Sequence, residues 1–451
     1  MKKAFIIFLL PLVLFSFSNE GSLNREKKRD DPEYVHRALK LMTDVMVHDI
    51  YSPPVAGRTY AYISIAAYEA SLPGYPGYRS LAGQLQGLKA LPKPRPGKEY
   101  NYALASAVAL LNVGKTMVVS EDKVAKFTEA MLKESKASGT SQEVYNNSVI
   151  YGQSVAKHII AWAAGDNYKQ TRTFSKYSPT RDAASWKPTP PSYMKAVEPH
   201  WNKIRTFIID SAQQFKPPKP TPFSTDKTSQ FYKEALAVHD AVLKLTNEEK
   251  HIASFWDCNP FKMNINGHVM YASKKISPGG HWMNITRQVC RQSDANLMQS
   301  VEAYASLAIT IADAFSSCWD EKYRSLVIRP ETYINKYISG NWLPLLQTPP
   351  FPEYTSGHSV LSTASAVMLT KLFGGNLAFT DSTELEFGIP VRKFKSFMHA
   401  AEEAAISRFY GGIHYMPSIT NGVEEGKQIG IFVTRRLITR AAGTAAVRQR
   451  D

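Results

Sequence analysis

Hydrophobic residues recur at helical spacing through most of the chain after residue 31. Five segments with apolar side chains three or four positions apart predict helices: residues 34–48, 58–71, 102–119, 142–164 and 229–245. Thr246, followed three positions later by Glu249, predicts a capping box that opens a further helix. No run of strands with period-two alternation is present. The pattern therefore predicts an all-α fold.

Residues 167–228 interrupt this pattern with Pro, Lys, Ser, Thr and aromatic residues. An irregular segment of this length is uncommon in a compact domain and is often functional. Because it contains Trp186, Tyr193, Trp201 and Phe215, we expect it to pack down, over the mouth of a site. We predict two helical bundles in one continuous fold: an N-terminal half over residues 19–228 and a C-terminal bundle with the site over residues 229–451.

The first residues resemble a secretory signal. Lys2 and Lys3 precede an apolar run from Ala4 to Phe17, and Ser16 and Ser18 supply a small-x-small cleavage pattern. The run is shorter than the roughly 20 residues of a membrane-spanning helix. We predict that residues 1–18 are a cleaved signal peptide and that the mature protein is soluble, without a membrane partner, and periplasmic or secreted.

Composition is that of a globular protein, with 44% hydrophobic and 21% charged residues in 451. The formal charge of +15 comes from Lys and Arg spread along the chain, without a nucleic-acid-binding motif. Small anions are the favoured partners of this positive field, although solubility alone also explains it. Cys258, Cys290 and Cys318 follow no metal-ligand spacing, and buried free thiols are favoured over a disulfide.

Three cationic side chains in the C-terminal half point to chemistry. Lys322 and Arg329 lie in KYRSLVIRP, and Arg408 lies in SRFYGGIH. Each segment is weak evidence alone, since paired charges on a helix are usually solvated. Together they form a set of donors suited to a tetrahedral oxyanion, because a guanidinium fork matches paired oxygens and an ammonium is a compact charge.

A helix N-terminus and two histidines complete this set. Helical spacing over residues 359–373 places Ser356 and Gly357 at a helix start, where free N–H groups and the helix dipole favour an anion. His358 follows directly, and His414 emerges just beyond a Gly-Gly turn after Arg408. The convergence of three cations, a helix N-terminus and two histidines is better explained by a functional site than by a structural role.

The order K-x6-R-P, then SGH, then SR-x5-H is similar to the signature shared by vanadium-dependent haloperoxidases and type 2 phosphatidic acid phosphatases. The segments SPPVAGRTYAYISIAAYEA, WDCNPF, SPGGHW, RPETYINK and QTPPFPEYTSGHS resemble the bacterial haloperoxidases, in particular the iodoperoxidase branch. The resemblance covers most of the mature chain.

That resemblance implies vanadate as cofactor and a role for each matching residue. His414 would bind vanadium, and His358 would be the acid–base residue beside the apical oxygen. Lys322 would also act in catalysis. Donors to the vanadate oxygens would be Lys322, Arg329, Ser356, Gly357 and Arg408, and the halide pocket would contain Trp319 and Phe351. The implied reaction is oxidation of iodide, with bromide as the second candidate, by hydrogen peroxide to hypohalous acid that reacts with small organic acceptors.

The shared signature leaves two alternatives open, and one departure from it bears on the first of them. Ser418 stands where the wider signature has an Asp that orients the axial histidine, four positions after His414. An acid phosphatase would use the same oxyanion cage, formed by the donors Lys322, Arg329, Ser356, Gly357 and Arg408. His414 would form a phosphohistidine, and His358 would protonate the leaving oxygen. The loss of the Asp and the length of the chain disfavour this alternative. A non-catalytic exported oxyanion-binding protein is the second alternative, disfavoured by the two histidines.

Overall fold

The structure is a computed structural model and describes residues 31–441, which are mostly helical. The α-helices in chain order are α1 (Glu33–His48), α2 (Pro53–Ser71), α3 (Tyr102–Lys115), α4 (Glu121–Ala137), α5 (Gln142–Ala164), α6 (Tyr168–Thr171), α7 (Gln230–Leu243), α8 (Asn247–Phe255), α9 (Pro278–Gln292), α10 (Leu297–Ser325), α11 (Pro330–Tyr337), α12 (Gly357–Phe373), α13 (Phe397–Tyr410) and α14 (Met416–Arg436). Short 3-10 turns occur at Leu72–Gly74, Trp201–Lys203 and Leu385–Phe387. The predicted all-α class is confirmed.

The helix boundaries follow local sequence. The predicted capping box is present at α8, where the Thr246 side chain accepts from the Glu249 amide and Glu249 accepts from the Thr246 amide. Helix α2 begins at Pro53, earlier than the predicted residue 58. Its first turn tolerates Pro53 and Pro54 because N–H groups there have no intrahelical acceptor. The proline pair therefore opens a helix as well as ending the preceding segment.

Two small antiparallel hairpins were not predicted from the pattern. Strand β1 (Met263–Asn266) pairs with β2 (Val269–Ala272), and β3 (Phe379–Asp381) pairs with β4 (Arg392–Phe394). Strands of three or four residues are too short to show a reliable period-two alternation. Both hairpins are additions to a helical fold.

Helix α10 is the central element of the fold. It packs against α2 on the N-terminal side and against α12 on the C-terminal side. Around it, α2 packs on α3, α3 on α5, and α12 on both α13 and α14. One continuous hydrophobic cluster extends from Val35 to Leu437, so the two bundles share a core. The division into halves at residue 228 stays a prediction.

The proline-rich segment packs down on the helices, as expected. Trp186 and Trp201 are buried, whereas Tyr193 is exposed. The backbone carbonyl of Val197 accepts a hydrogen bond from Trp319 Nε1 at 3.2 Å. Trp319 lies in the last turns of α10, among the predicted site residues. The segment therefore covers the end of the helix that carries part of the site.

Close packing of α12 against α14 depends on glycine. Gly422, Gly426 and Gly430 are spaced four residues apart on α14 and face α12. A Cβ on Gly426 would lie 2.1 Å from the backbone oxygen of Val360. Because that neighbour is backbone, the two helices would have to separate.

We expect Gly426→Ala to lower the free energy of unfolding by about 1–3 kcal/mol, the usual range for overpacking. The gain in helix propensity, at most about 1 kcal/mol, works in the opposite direction and is smaller. Denaturant unfolding measures this difference. Gly340→Ala is the control, since a Cβ there meets nothing within 4 Å. Equal stability of the two variants would show that the contact is not tight.

The cysteine prediction is confirmed, and the prediction of export stays open. Cys258, Cys290 and Cys318 are all buried and free. Among the helices of residues 31–441, none combines the length and apolar character needed to cross a membrane. The predicted signal peptide over residues 1–18 lies outside the described residues, so export to the periplasm or medium stays a prediction.

Candidate active site

The three sequence segments converge on one narrow, buried cavity. Helix α10 and its C-terminal loop supply Lys322 and Arg329, the start of α12 supplies the SGH residues, and the end of α13 leads to His414. The cavity wall includes six predicted site residues: Trp319, Phe351, Gly357, His358, Arg408 and His414. Lys322, Arg329 and Ser356 do not line the cavity themselves. They lie directly behind its wall, in the contacts described below.

His414 is held by a carboxylate that the sequence reasoning missed. Its Nδ1 lies 2.8 Å from Glu353 Oε1, and its Nε2 lies 3.1 Å from Arg329 Nη1. Burial, with the nearby Arg329, lowers the pKa of His414 well below its ordinary value, so the ring is neutral. The acceptor at Nδ1 and the donor at Nε2 place the proton on Nδ1. The lone pair of Nε2 is then available for a metal.

Glu353 itself is fixed in place by several groups. Its Oε1 also accepts from the backbone N–H of Tyr415 at 3.0 Å. Burial raises the pKa of Glu353 to about 7, although Arg329 and Lys322 act in the opposite direction. Ser418, the residue at the departure from the signature, is farther from His414, with 3.4 Å between Oγ and Nδ1. The carboxylate that orients the ring therefore comes from the segment before SGH.

Two fully buried arginines leave donors unused. Arg329 donates from Nε to the Phe351 carbonyl at 2.9 Å and from Nη1 to the Ile413 carbonyl at 2.8 Å. Arg408 donates from Nη1 to the Trp256 carbonyl at 2.6 Å. Arg329 Nη2 and Arg408 Nε make no hydrogen bond to any described residue. Because burying an unpaired charged donor is costly, these atoms indicate a bound anion.

His358 presents a third unused atom. It lies in the first turn of α12, and its Nε2 is buried without a hydrogen-bond partner among the described residues. Burial, with Arg408 close by, lowers the pKa of His358 well below its ordinary value. The imidazole is therefore neutral and able to accept a proton at neutral pH.

Lys322 is fully buried, and its three protons point at backbone carbonyls. Nζ donates to Pro352 and Glu353 at 3.1 Å each and to Thr355 at 2.5 Å. Burial lowers the pKa of Lys322 to about 8, which leaves the side chain cationic at neutral pH. In this arrangement Lys322 stabilises the segment before SGH. Its role as an oxyanion donor stays a prediction.

Ser356 begins the helix that points at the cavity. It is the N-cap of α12, and its Oγ accepts from the Ser359 hydroxyl at 2.9 Å. The amide groups of the first turn, starting at Gly357, have no acceptor within the helix. Their N–H groups and the helix dipole favour an anion at the cavity, as predicted from the sequence.

An aromatic pair forms the apolar side of the cavity. The rings of Trp319 and Phe351 lie 5.0 Å apart between centroids. Lys322 Nζ lies 5.2 Å from the centre of the Phe351 ring, so a positive charge stands behind the pair. The assignment of this pair as the halide pocket stays a prediction.

Two contributors could not be found from sequence spacing. Glu353 lies five residues before His358, but no motif marks a carboxylate at that position. Trp256 contributes through its backbone carbonyl, which carries no sequence signal. His281, in the segment SPGGHW, does not line the described cavity.

The residues present fit a small tetrahedral oxyanion. Three buried polar atoms lack partners among the described residues, on Arg329, Arg408 and His358. His358, Arg408 and His414 line one cavity, and His414 Nε2 lies 3.1 Å from Arg329 Nη1. The cavity volume is about 30 Å³. Because a single water molecule needs only about 10–15 Å³, the cavity has room for a small ion. The fold and the site define an all-helical protein with a buried pocket suited to a small oxyanion.

Comparison with known proteins places the chain in a family. Residues 338–443 match the model of the second helical-bundle domain of vanadium-dependent chloroperoxidase. A bacterial vanadium-dependent iodoperoxidase of known crystal structure is 47% identical, with a TM-score of 0.86 and coverage of 91% of this chain and 98% of that one. The chain belongs to the vanadium-dependent haloperoxidases. It is a peroxidase with vanadate as its cofactor.

More distant relatives share the fold. A bacterial vanadium-dependent chloroperoxidase in its holo form is 16% identical, with a TM-score of 0.63 and coverage of 86% of this chain and 95% of that one. The apo form of a bacterial vanadium-dependent chloroperoxidase is also 16% identical, with a TM-score of 0.60 and coverage of 86% of this chain and 96% of that one. No curated protein sequence matched the chain.

Proposed function

We propose that this enzyme oxidises iodide in preference to bromide, using hydrogen peroxide, and releases hypoiodous acid to small organic acceptors. One iodide, one hydrogen peroxide and one proton give one hypoiodous acid and one water. The observation that carries the proposal is a set of unpartnered buried atoms near His414 Nε2: the arginine donors Arg329 Nη2 and Arg408 Nε, and the acceptor His358 Nε2. The similarity to a bacterial iodoperoxidase supports the choice of halide.

Each side chain has a distinct part in this proposal. His414 would hold vanadate through Nε2, while Arg329 and Arg408 would hold its oxygens, with the Ser356 hydroxyl and the Gly357 amide as further donors. Bound vanadate supplies a Lewis acid that polarises hydrogen peroxide. His358 accepts the proton of hydrogen peroxide at Nε2 and returns it later, which its lowered pKa permits. The buried donors need no reorganisation as charge develops.

The aromatic wall supports iodide as the substrate. Trp319 and Phe351 offer an apolar surface next to the Lys322 charge. Iodide is the largest, most polarizable and most easily oxidised of the three halides considered, and it loses its hydration most easily. A pocket that combines aromatic rings with a buried cation therefore suits iodide better than chloride.

Parallel assays on the purified protein test this function. Protein loaded with orthovanadate is assayed with hydrogen peroxide plus iodide, bromide or chloride, and vanadate-free protein is assayed with p-nitrophenyl phosphate. We expect vanadate-dependent oxidation that is fastest with iodide and no phosphate-ester hydrolysis. Faster bromide than iodide turnover would overturn the halide choice.

Two other outcomes would overturn the whole proposal. Hydrolysis of p-nitrophenyl phosphate without oxidation of any halide would identify an acid phosphatase using the same cage. Inactivity in both assays, together with tight vanadate or phosphate binding, would identify an oxyanion-binding protein. Vanadate-free protein in the halide assays is the matched control for oxidation by peroxide alone.

A further inference from the structure

A second buried polar cluster lies beside the active-site cavity, and one of its members, Cys258, lines the cavity wall. Cys258 follows α8, His281 lies in the first turn of α9, and Glu384 precedes the 3-10 turn Leu385–Phe387. All three side chains are buried. Cys258 Sγ lies 3.3 Å from His281 Nδ1 and 3.9 Å from Glu384 Oε1, and these nitrogen and oxygen atoms lie 3.1 Å apart.

Hydrogen bonds alone do not satisfy this cluster. His281 Nδ1 has one position for a proton or a lone pair, but both the Cys258 sulfur and a Glu384 oxygen lie against it. Glu384 Oε2 is buried and makes no hydrogen bond to any described residue. Its Oε1 lies 3.9 Å from the thiol and pairs with His281 Nδ1 at 3.1 Å. Although burial acts in the opposite direction, Asp381 and Cys258 raise the pKa of His281 well above its ordinary value. Without a metal the ring is therefore the positive partner of this carboxylate, and a metal ion would take the place of its Nδ1 proton.

The far side of His281 is held as it is in metal sites. Nε2 lies 2.7 Å from Asp381 Oδ2, and the Thr383 backbone N–H donates to the other oxygen of Asp381 at 2.9 Å. A carboxylate on the outer nitrogen of a histidine fixes the ring and its tautomer, so that the inner nitrogen presents its lone pair. Here that inner nitrogen is Nδ1, which faces Cys258 and Glu384.

We propose that Cys258 Sγ, His281 Nδ1 and the Glu384 carboxylate bind one Zn²⁺ ion. Tetrahedral zinc with ordinary bond lengths separates sulfur from nitrogen and from oxygen by about 3.6 Å, and nitrogen from oxygen by about 3.3 Å. Sulfur lies 3.3 Å from nitrogen and 3.9 Å from oxygen, on either side of its reference value, and the nitrogen–oxygen separation of 3.1 Å is slightly shorter than its own. A thiolate, an imidazole and a carboxylate together suit zinc better than the hard cations Mg²⁺ or Ca²⁺.

Binding involves proton release and no redox change. Zinc displaces the Cys258 thiol proton and the His281 Nδ1 proton to solvent, and it binds the thiolate sulfur, the Nδ1 lone pair and the Glu384 carboxylate. The Glu384 carboxylate occupies a single tetrahedral position, so a water molecule would complete the four-coordinate sphere. The ligands of this ion are other residues than those of the vanadate site, so its binding does not depend on the proposed halide chemistry.

The position of the ion suggests what it stabilises. The ring of Trp256 stacks on His281 with centroids 4.6 Å apart, and the Trp256 carbonyl accepts from Arg408 Nη1 at 2.6 Å. Zinc would fix the loop from Trp256 to Cys258 between α8, α9 and the β3–β4 hairpin. That loop in turn positions one of the two arginines of the oxyanion cage.

Metal analysis of the full-length protein tests this site. The protein is incubated with Zn²⁺, desalted and analysed by inductively coupled plasma mass spectrometry, in parallel with the Cys258→Ser, Glu384→Gln and Cys290→Ser variants. We expect one zinc per chain in the wild type and in Cys290→Ser, a matched control that removes another buried thiol. Cys258→Ser and Glu384→Gln should lose the ion.

Cobalt substitution makes the test independent of how the variants fold. Wild-type protein loaded with Co²⁺ should show the visible bands of tetrahedral cobalt and a thiolate charge-transfer band, and the Cys258→Ser variant should lose the latter. Wild-type protein that retains no more zinc than Cys258→Ser, or whose cobalt spectrum lacks the thiolate band, would overturn the proposal. Retained zinc without halide oxidation would instead count against the proposed function alone.

Discussion

His414→Ala should abolish vanadate binding, whereas His358→Ala should keep vanadate and lose about 10²- to 10⁴-fold in iodide turnover, the usual contribution of an acid–base group. The structure gives the reason for the difference. Glu353 orients the His414 ring, and Nε2 lies 3.1 Å from Arg329 Nη1. His358 Nε2 is a neutral acceptor in the cavity wall. In the proposed function, His414 would bind vanadate and His358 would move a proton.

Two measurements separate these roles. Titration calorimetry with orthovanadate measures binding, and spectrophotometry of oxidised iodide measures turnover. His268→Ala is the matched control, because His268 is exposed at the turn between β1 and β2 and should leave both quantities unchanged. Equal loss of vanadate binding in His414→Ala and His358→Ala would contradict the separate assignments.

Glu353→Ala should weaken vanadate binding by about 10- to 100-fold, the usual effect of removing the residue that orients a metal-binding histidine. Without the carboxylate, the buried Nδ1–H of His414 loses its 2.8 Å acceptor and the ring is free to rotate. Glu353→Gln should recover part of this affinity, because an amide oxygen still accepts from Nδ1 but carries no charge. Ser418→Ala should have a smaller effect, since Ser418 lies 3.4 Å from the same atom.

The vanadate dissociation constants of the three variants test this order. A purely structural role for Glu353 would lower the stability of the protein without changing the affinity of the folded fraction, so thermal unfolding is measured in parallel. An effect of Ser418→Ala as large as that of Glu353→Ala would show that Ser418, and not Glu353, orients His414.

The role of Glu353 also changes one argument made from sequence. The absence of an Asp at the position of Ser418 disfavoured a phosphatase, because a nucleophilic histidine needs a fixed tautomer. The structure supplies that fixed tautomer through Glu353. The serine at position 418 therefore does not discriminate between the phosphatase and peroxidase reactions. The similarity to a 47% identical iodoperoxidase is what favours the peroxidase.

Helices and the main site segments could be predicted because their signals are local and periodic. The capping box at Thr246 depends on two residues only three positions apart. Serine is a preferred N-cap residue, so Ser356 marks the start of α12 at Gly357. The two prolines that open α2 lie outside the predicted helix over residues 58–71. Proline can end one segment or occupy the first turn of a helix, and tertiary packing decides between them.

The rest of the site depends on contacts between distant parts of the chain. Glu353 approaches His414 only because the segment before α12 packs beside the loop after α13. Cys258, His281 and Glu384 are separated by 23 and 103 residues, with no spacing typical of a metal site. Such convergence is a property of the folded chain and leaves no periodic pattern in the sequence.

A crystal structure of the vanadate-loaded enzyme tests the central claim most directly. We predict a single oxyanion at bonding distance from His414 Nε2, with Arg329 Nη2 and Arg408 Nε about 2.7–3.2 Å from its oxygens and His358 Nε2 beside it. Vanadate bound elsewhere, or a His414 side chain turned away from the arginines, would contradict the account.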